Sequence, residues 1–404
     1  MTGFSSTTVA SDPDQSDATA ARWVGAGASR LADSRRAGAE AATAAVRGTD
    51  TRLLVVFASQ AHDLAALLNG IRDVCPDAPL IGCSTAGEIA ADGPGESSVV
   101  VTALGGDGFS VATAMASGAA GDLRQAGATV GACIEQVEAR AHQVLLLLTD
   151  GLAGDQQEIV RGAYGVVGAA VPLVGGCAGD DLRMTYTQQL FGDAVVDDSV
   201  VAAAISSDAP IGIGVRHGWR RVGDPMLVTC SEGNRVLALD DQPALDVYLD
   251  RLDAPAEART DSAAFTRFAM THPLGLSRRS GEEVRFVAEA GFADRSIGCI
   301  AEVPQGGLAW MMEGDAASVL GATDAACSDA LTGLEGNPPI GLIAFDCIAR
   351  RGVLGSGGVE DEVSRIGLHA DGAPVSGFYT YGEIARTRGI SGFHNQTLVV
   401  LALS

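Results

Sequence analysis

The chain has 404 residues, with Lys+Arg 27 against Asp+Glu 50 and a net charge of −23, a balance that excludes nucleic acid and anionic membrane as default partners. It contains no lysine, which removes the P-loop lysine and any Schiff-base lysine, and with them P-loop NTPase and pyridoxal-phosphate chemistry. The 8 cysteines stand singly, without a C-x-x-C pair, the pattern of reduced thiols in a cytoplasmic protein rather than of a disulfide framework.

Residues 1–16, rich in Ser, Thr and Asp, read as disordered, and they lack the basic and apolar regions of a signal peptide. From Asp17 to about Arg47 an Ala-rich stretch predicts a helix weakened by glycines. Leu53–Phe57 reads as a buried strand and residues 58–74 as a helix, ended by Pro76 and Pro79. Strands follow at 97–105 and 109–116. A second round runs through a helix over 122–141, the strand Val144–Leu148, a helix over 155–169 and the strand Ser199–Ile205. No apolar run reaches the length of a membrane span. Gly212-x-Gly214 lies in a strand at 211–217 with no helix opening after it, so it reads as Gly-rich strand, not as a dinucleotide fingerprint. Near Gly223 the wording changes. A hairpin over 228–239, a helix after Pro243 and a meander of strands at 284–289, 296–303 and 307–312 follow. A helix over 315–333, the strand Ile340–Asp346, a helix near 359–369 and the strand Thr397–Leu403 close the chain.

One phrase recurs. Pro79-Leu-Ile-Gly-Cys-Ser-Thr-Ala-Gly-Glu-Ile-Ala90 and Pro374-Val-Ser-Gly-Phe-Tyr-Thr-Tyr-Gly-Glu-Ile-Ala385 share the pattern P-x-x-G-x-x-T-x-G-E-I-A without a gap. A degenerate third copy, Pro172-Leu-Val-Gly-Gly-Cys-Ala-Gly-Asp-Asp-Leu182, places Asp180 and Asp181 at the acidic position. Each copy follows a strand and an amphipathic segment and precedes another strand. The expectation is one αβ unit used three times, in an α/β fold: a two-domain, mixed-sheet αβ sandwich of three related strand-helix-strand units with Gly-Glu loops.

Several phrases together resemble the FIST domain pair: Phe57-Ala-Ser59, the Gly-Glu loops, Pro243-Ala-Leu-Asp-x-Tyr248, Phe345-Asp-Cys347-x-x-Arg350 and His394-Asn395-x-Thr397. The resemblance covers residues 30 to 404 and implies an N-terminal module over 17–222 and a C-terminal module over 223–404. It also implies an intracellular sensory module of the free-standing bacterial type. Its ligand would be a small molecule such as an amino acid. Its signal would pass to a separate partner, such as a histidine kinase or a cyclase-type protein. Some free-standing members bind haem and sense nitric oxide, so haem is the cofactor left open.

The candidate ligand-binding residues are Arg350, Glu383, Tyr381, His394, Asn395 and Cys347, all near strand ends of the last unit, where α/β sheets bind ligands. A carboxylate and an Arg fork suit the two ends of a zwitterion, against the plainer reading that Arg350 and Glu383 pair with each other or with Asp346. His394 is also the residue for axial haem ligation, or for a loop hydrogen bond. Cys347, His394 and Glu383 are the parts of a cysteine-dependent hydrolase, a reading set below the non-enzymatic one because buried cysteines are usually inert.

Overall fold

The computed structural model describes residues 21–278, 281–387 and 392–404; the terminus expected to be disordered lies outside the described residues. The fold is mixed α/β, with four mixed or antiparallel sheets.

The first unit runs β1 (Trp23–Ser29), α1 (Ser34–Ala45), β2 (Thr51–Ala58), α2 (Leu64–Val74), β3 (Leu80–Ser84), the hairpin β4 (Glu88–Ala90) and β5 (Gly93–Gly95), and β6 (Val99–Gly105). The second repeats the order: β7 (Phe109–Ser117), α3 (Leu123–Gly131), β8 (His142–Thr149), α4 (Gln156–Val167), β9 (Leu173–Cys177), β10 (Gln189–Phe191), β11 (Ala194–Val196) and β12 (Ser199–Ser207). The third opens at β13 (Ile211–Arg216) and is then interrupted. The insertion holds β14 (Arg220–Glu232), β15 (Arg235–Leu239), β16 (Gln242–Pro243), α5 (Ala244–Arg251), α6 (Ser262–Ala269), β17 (Leu274–Arg278), β18 (Gly281–Arg285), β19 (Val287–Gly291), β20 (Ser296–Cys299) and β21 (Leu308–Glu313). The unit resumes with α7 (Ala316–Thr332), β22 (Gly341–Cys347), α8 (Ile348–His369), β23 (Val375–Thr380), β24 (Glu383–Arg386), β25 (Phe393–His394) and β26 (Leu398–Leu403). Part of the acidity has a local use, since Asp33, Asp63, Asp122, Asp155, Asp261 and Asp315 cap helix N-termini with their side chains, satisfying donors the helix leaves open.

Each unit builds a sheet and then gives its hairpin to another. The sheet orders are β1-β6-β2-β3-β10-β11, β25-β24-β9-β8-β12-β7 and β13-β26-β22-β23-β4-β5. The first unit's hairpin therefore completes the third sheet, the second unit's the first, and the third unit's the second. The exchange is cyclic. The three sheets turn their inner faces to one core, where Phe57, Phe345 and Phe378 pack edge-to-face or tilted with ring centroids 4.6 to 6.2 Å apart. Helix pairs α1–α2, α3–α4 and α7–α8 cover the outer faces. The inserted strands make a fourth sheet with its own core. Gly223, the expected division between modules, lies inside β14.

The repeated glycine of P-x-x-G has a steric cause. A Cβ on Gly82, Gly175 or Gly377 would stand 2.4, 1.9 or 2.1 Å from the carbonyl oxygen of Val56, Leu147 or Ala344 on the neighbouring parallel strand. Three expectations are corrected. The stretch read as one helix from 17 to 47 contains β1 before α1, because Gly25 and Gly27 let the helix backbone lie directly on the strand. A Cβ on Gly25 would stand 1.9 Å from the Ala45 carbonyl oxygen. The last helix, expected near 359–369, begins instead at Ile348 and breaks at Gly355, φ +65°.

The third correction concerns the degenerate copy. Glu88 pairs opposite Phe378, Glu383 opposite Gly176 and Gln189 opposite Cys83, each partner lying one residue past the repeated glycine. Gln189, not Asp180, thus occupies the acidic position of the second unit. The glycine-to-carboxylate spacing is six residues in two copies, whereas Gly175 and Gln189 are fourteen apart. Asp180 and Asp181 belong to an enlarged loop.

Candidate functional site

The three loops meet and bond to one another. The Ala86 N–H donates to the Tyr379 carbonyl (3.1 Å), Gly179 to Ser84 (3.0 Å), Tyr381 to Cys177 (3.2 Å) and Cys177 to Gly382 (2.8 Å). Within two loops the glutamate is a brace. Glu88 accepts from Thr85 Oγ1, from the Ser98 N–H (3.1 Å) and from Ser98 Oγ (2.5 Å). Glu383 accepts from Thr380 Oγ1 (2.5 Å) and from the Thr397 N–H (3.2 Å). Ser98 and Thr397 each immediately precede the strand that returns to the sheet, so each carboxylate ties its hairpin to that strand. Burial pushes Glu88 up to about 7 and Glu383 up to about 8, against the hydrogen bonds that favour their charge. The backbones differ at the loop glycine: Gly87 has φ +116°, and Gly382 lies outside the positive-φ region.

Beside this junction lies a cavity of about 1040 Å³. The loops contribute Ala86, Asp181 and Tyr381, and the β22–α8 junction contributes Cys347 and Arg351. Met270, Phe286 and Ile300 come from the insertion, so the cavity lies between the three-unit core and the inserted sheet. Asn395 completes the wall. It is 2% exposed, and its Oδ1 has no hydrogen-bond partner among the described residues, an arrangement costly to a folded chain unless something fills it.

The enlarged loop of the second unit overhangs the cavity. Asp180 holds it by accepting from the N–H groups of Met184 (2.9 Å), Thr185 (2.7 Å) and Tyr186 (3.2 Å). The Tyr381 hydroxyl donates to Asp180 and accepts from the Leu182 N–H (2.7 Å), joining the third unit to the second. Burial works against the Asp180 charge, but Tyr381 and the N–H donors outweigh it and hold the carboxyl low. Asp181, Leu182 and Met184 all have φ between +53° and +62°, conformations that non-glycine residues adopt at a cost.

Of the residues singled out in the sequence, the structure brings Tyr381, Asn395 and Cys347 together on the cavity wall. Arg350 and Glu383 are fully buried behind it. Arg350 bonds Asp346 (2.6 Å), Glu362 (2.5 Å) and Thr323 (3.0 Å), and these two carboxylates keep it charged although burial opposes that charge. This is the plainer alternative, the ion pair with Asp346, enlarged by Glu362. His394 stands opposite Glu383 in the β24–β25 pairing, but its Nε2 lies 2.9 Å from the Ala385 carbonyl, the plainer loop bond. His394 does not reach the cavity wall, so the residues here do not fit axial haem ligation by His394. The Cys347 thiol is pushed well up, by burial and then by Glu383 beside it, which leaves it without the activation a nucleophile needs. Among the described residues no cluster of His, Cys, Asp or Glu has the makings of a metal site.

Two cavity residues carry no clear mark in the sequence. Arg351 stands next to Arg350, and nothing in a strand-to-helix junction says which of two arginines turns inward. Asp181 is visible as half of Asp180-Asp181, but matching that pair to the Gly-Glu acids hides its place on an enlarged loop.

Models of the FIST N domain and the FIST C domain match residues 52–242 and 244–386. The chain belongs to the FIST family. Two Mycobacterium tuberculosis relatives, the uncharacterized proteins MT0656 of strain CDC 1551 / Oshkosh and Rv0628c of strain ATCC 25618 / H37Rv, are each 26% identical over 386 residues, 93% of this chain and 97% of theirs. The uncharacterized protein MJ1623 of Methanocaldococcus jannaschii is 28% identical over 122 residues, 28% of this chain and 24% of its own. In this FIST chain the break between the two family models falls at Pro243, the last residue of β16, inside the insertion. Among the described residues no helix is long and apolar enough to cross a membrane.

Proposed function

We propose that this FIST chain is a small-ligand sensory module whose ligand occupies the cavity at the loop junction, and that it signals through a separate partner protein. The observation that carries this is a large cavity bounded by all three units and the insertion and lined by Asn395, whose buried Oδ1 has no hydrogen-bond partner among the described residues. A ligand there touches Tyr381, whose hydroxyl holds the strained loop over 180–186. That loop carries Leu182 (62% exposed), Met184 (57%) and Tyr186 (54%), so a ligand that moves Tyr381 alters an apolar surface a partner can read. Cys347, Tyr381 and Asn395 contact the ligand in this reading, while Arg350, Glu383 and His394 hold the wall behind it. Molecules with an ammonium group, amino acids among them, are the first class to try, because the ammonium meets Asp181.

The test is a thermal-shift screen of a chemically mixed small-molecule library against the full chain and a Ser356→Trp variant. Ser356 lines the cavity from an exposed position, so the indole plugs the space without entering a core. Compounds that raise the melting temperature of the wild type and not of the plugged variant are expected. A library in which every stabiliser works equally on both would place the ligand elsewhere.

A further inference from the structure

Given the cavity as the ligand site, its polar groups are unequal in what they still need. The two strongest donors are engaged. Arg351 Nη1 donates to the Ala86 carbonyl (3.0 Å) and Nη2 to Glu96 (2.6 Å), and the Tyr381 hydroxyl hydrogen goes to Asp180. The acceptors are not. Asn395 Oδ1 has no partner among the described residues, and the Asp181 carboxylate accepts one long bond, 3.4 Å from Ser59 Oγ. Glu96 and Glu360 add exposed carboxylates at the rim, against Arg351 alone among cavity-lining cations of the described residues. Apart from Ser97, Thr266 and Ser356, the remaining wall is apolar, with Leu182, Met184, Met270, Phe286, Ile300 and Val359.

We propose that the ligand is an organic cation, an amine with an apolar body, whose ammonium donates to Asp181 and to the Asn395 carbonyl. A carboxylate on the ligand would face the acidic rim and an arginine already engaged by Glu96. Asp181 is half-buried, and burial raises its carboxyl against the weaker pull of Arg183 and Arg351; an ammonium in contact would favour its charge further. The site therefore reads the amine and not the zwitterion: an amine binds more tightly than the amino acid with the same side chain.

Four probes share one apolar body and differ in charge: 2-phenylethylamine, phenylalanine, 3-phenylpropionate and the neutral 2-phenylethanol. Calorimetric titration of the full chain is expected to rank the amine at least tenfold above phenylalanine, with no binding of the carboxylate. Asp181→Asn is expected to weaken the amine about tenfold or more and to leave the alcohol unchanged. Asn suits the left-handed backbone at this position, so the variant keeps the loop. A second variant, Asn395→Leu, removes the other acceptor and is expected to weaken the amine again. Equal binding of amine and carboxylate, or an amine affinity untouched by Asp181→Asn, would overturn the proposal. If all four probes fail while other compounds stabilise the wild type and not Ser356→Trp, the cation is wrong and the cavity reading stands. If nothing distinguishes the plugged variant from the wild type, the cavity itself is not the site.

Discussion

At the scale of single residues, two buried carboxylates and one buried arginine carry testable energetics. Glu88 and Glu383 have folded pKa values of about 7 and about 8, above their ordinary 4.5. The folded chain therefore holds more protons than the unfolded one, and the stability these groups contribute below pH 4.5 is lost as pH rises through 7 and 8. His217, pushed down to about 4 by burial, acts in the opposite sense, but only below its ordinary 6.5. Urea denaturation between pH 7 and 8 reads chiefly the glutamates, because the buried thiols that burial raises above their ordinary 9 act only at higher pH. The wild type is expected to lose about 1–2 kcal/mol over that range, and the double variant Glu88→Gln/Glu383→Gln to show a flatter slope. Arg350→Met strands Asp346 and Glu362 in the core and is expected to cost about 3–5 kcal/mol. If it weakened the binding of a cavity ligand without lowering stability, Arg350 would belong to the site and not to the scaffold. The chemical types of these residues are plain in the sequence. Their partners are not, because Glu362 and Thr323 come from helix faces at some distance along the chain, and no local pattern says which charges will be sealed inside.

At the scale of elements, the sequence speaks most clearly where sterics act over a few residues. Strands β2, β8, β12, β22 and β26 announce themselves as apolar runs, and the P-x-x-G phrase marks the parallel strand that follows each helix. β1 does not announce itself, because Gly25 and Gly27 lower strand propensity for a reason visible only in three dimensions. The same device recurs at β13, where a Cβ on Gly212 or Gly214 would stand 1.8 Å from the Ala330 or Ala326 carbonyl oxygen of α7. Gly212→Ala is thus expected to force α7 off the sheet and to destabilise by about 1–3 kcal/mol or more. Gly165, exposed on α4 with nothing within 4 Å of an added methyl, gives the opposite sign: Gly165→Ala is expected to stabilise by roughly 0.5–1 kcal/mol. Chemical denaturation of both variants decides the matter, and a Gly212→Ala variant as stable as the wild type would mean that contact with α7 does not require a glycine there.

For the whole molecule, the repeat is legible in the sequence and the exchange of hairpins is not. Three similar phrases say that a unit recurs; they do not say whose sheet receives its hairpin, since pairing within a unit and pairing across units leave the same local pattern. The exchange has a consequence for folding. Without residues 375–404, the second sheet loses β24–β25 and the first unit's β4–β5 loses β23, while the shared core loses Phe378, Val399, Leu401 and Leu403. A fragment of residues 21–207, although it holds two complete repeats in sequence, is therefore expected to lack a cooperative thermal transition and to expose the free edge of β9, a template for aggregation. The fragment 208–404 lacks the partner of its own β23 edge in the same way. Mixed during refolding, the two are expected to co-elute and to recover a transition close to that of the intact chain, because each supplies the strands the other needs. A cooperative melt by fragment 21–207 alone would show that the hairpins are accessories and that the first two units stand without the third.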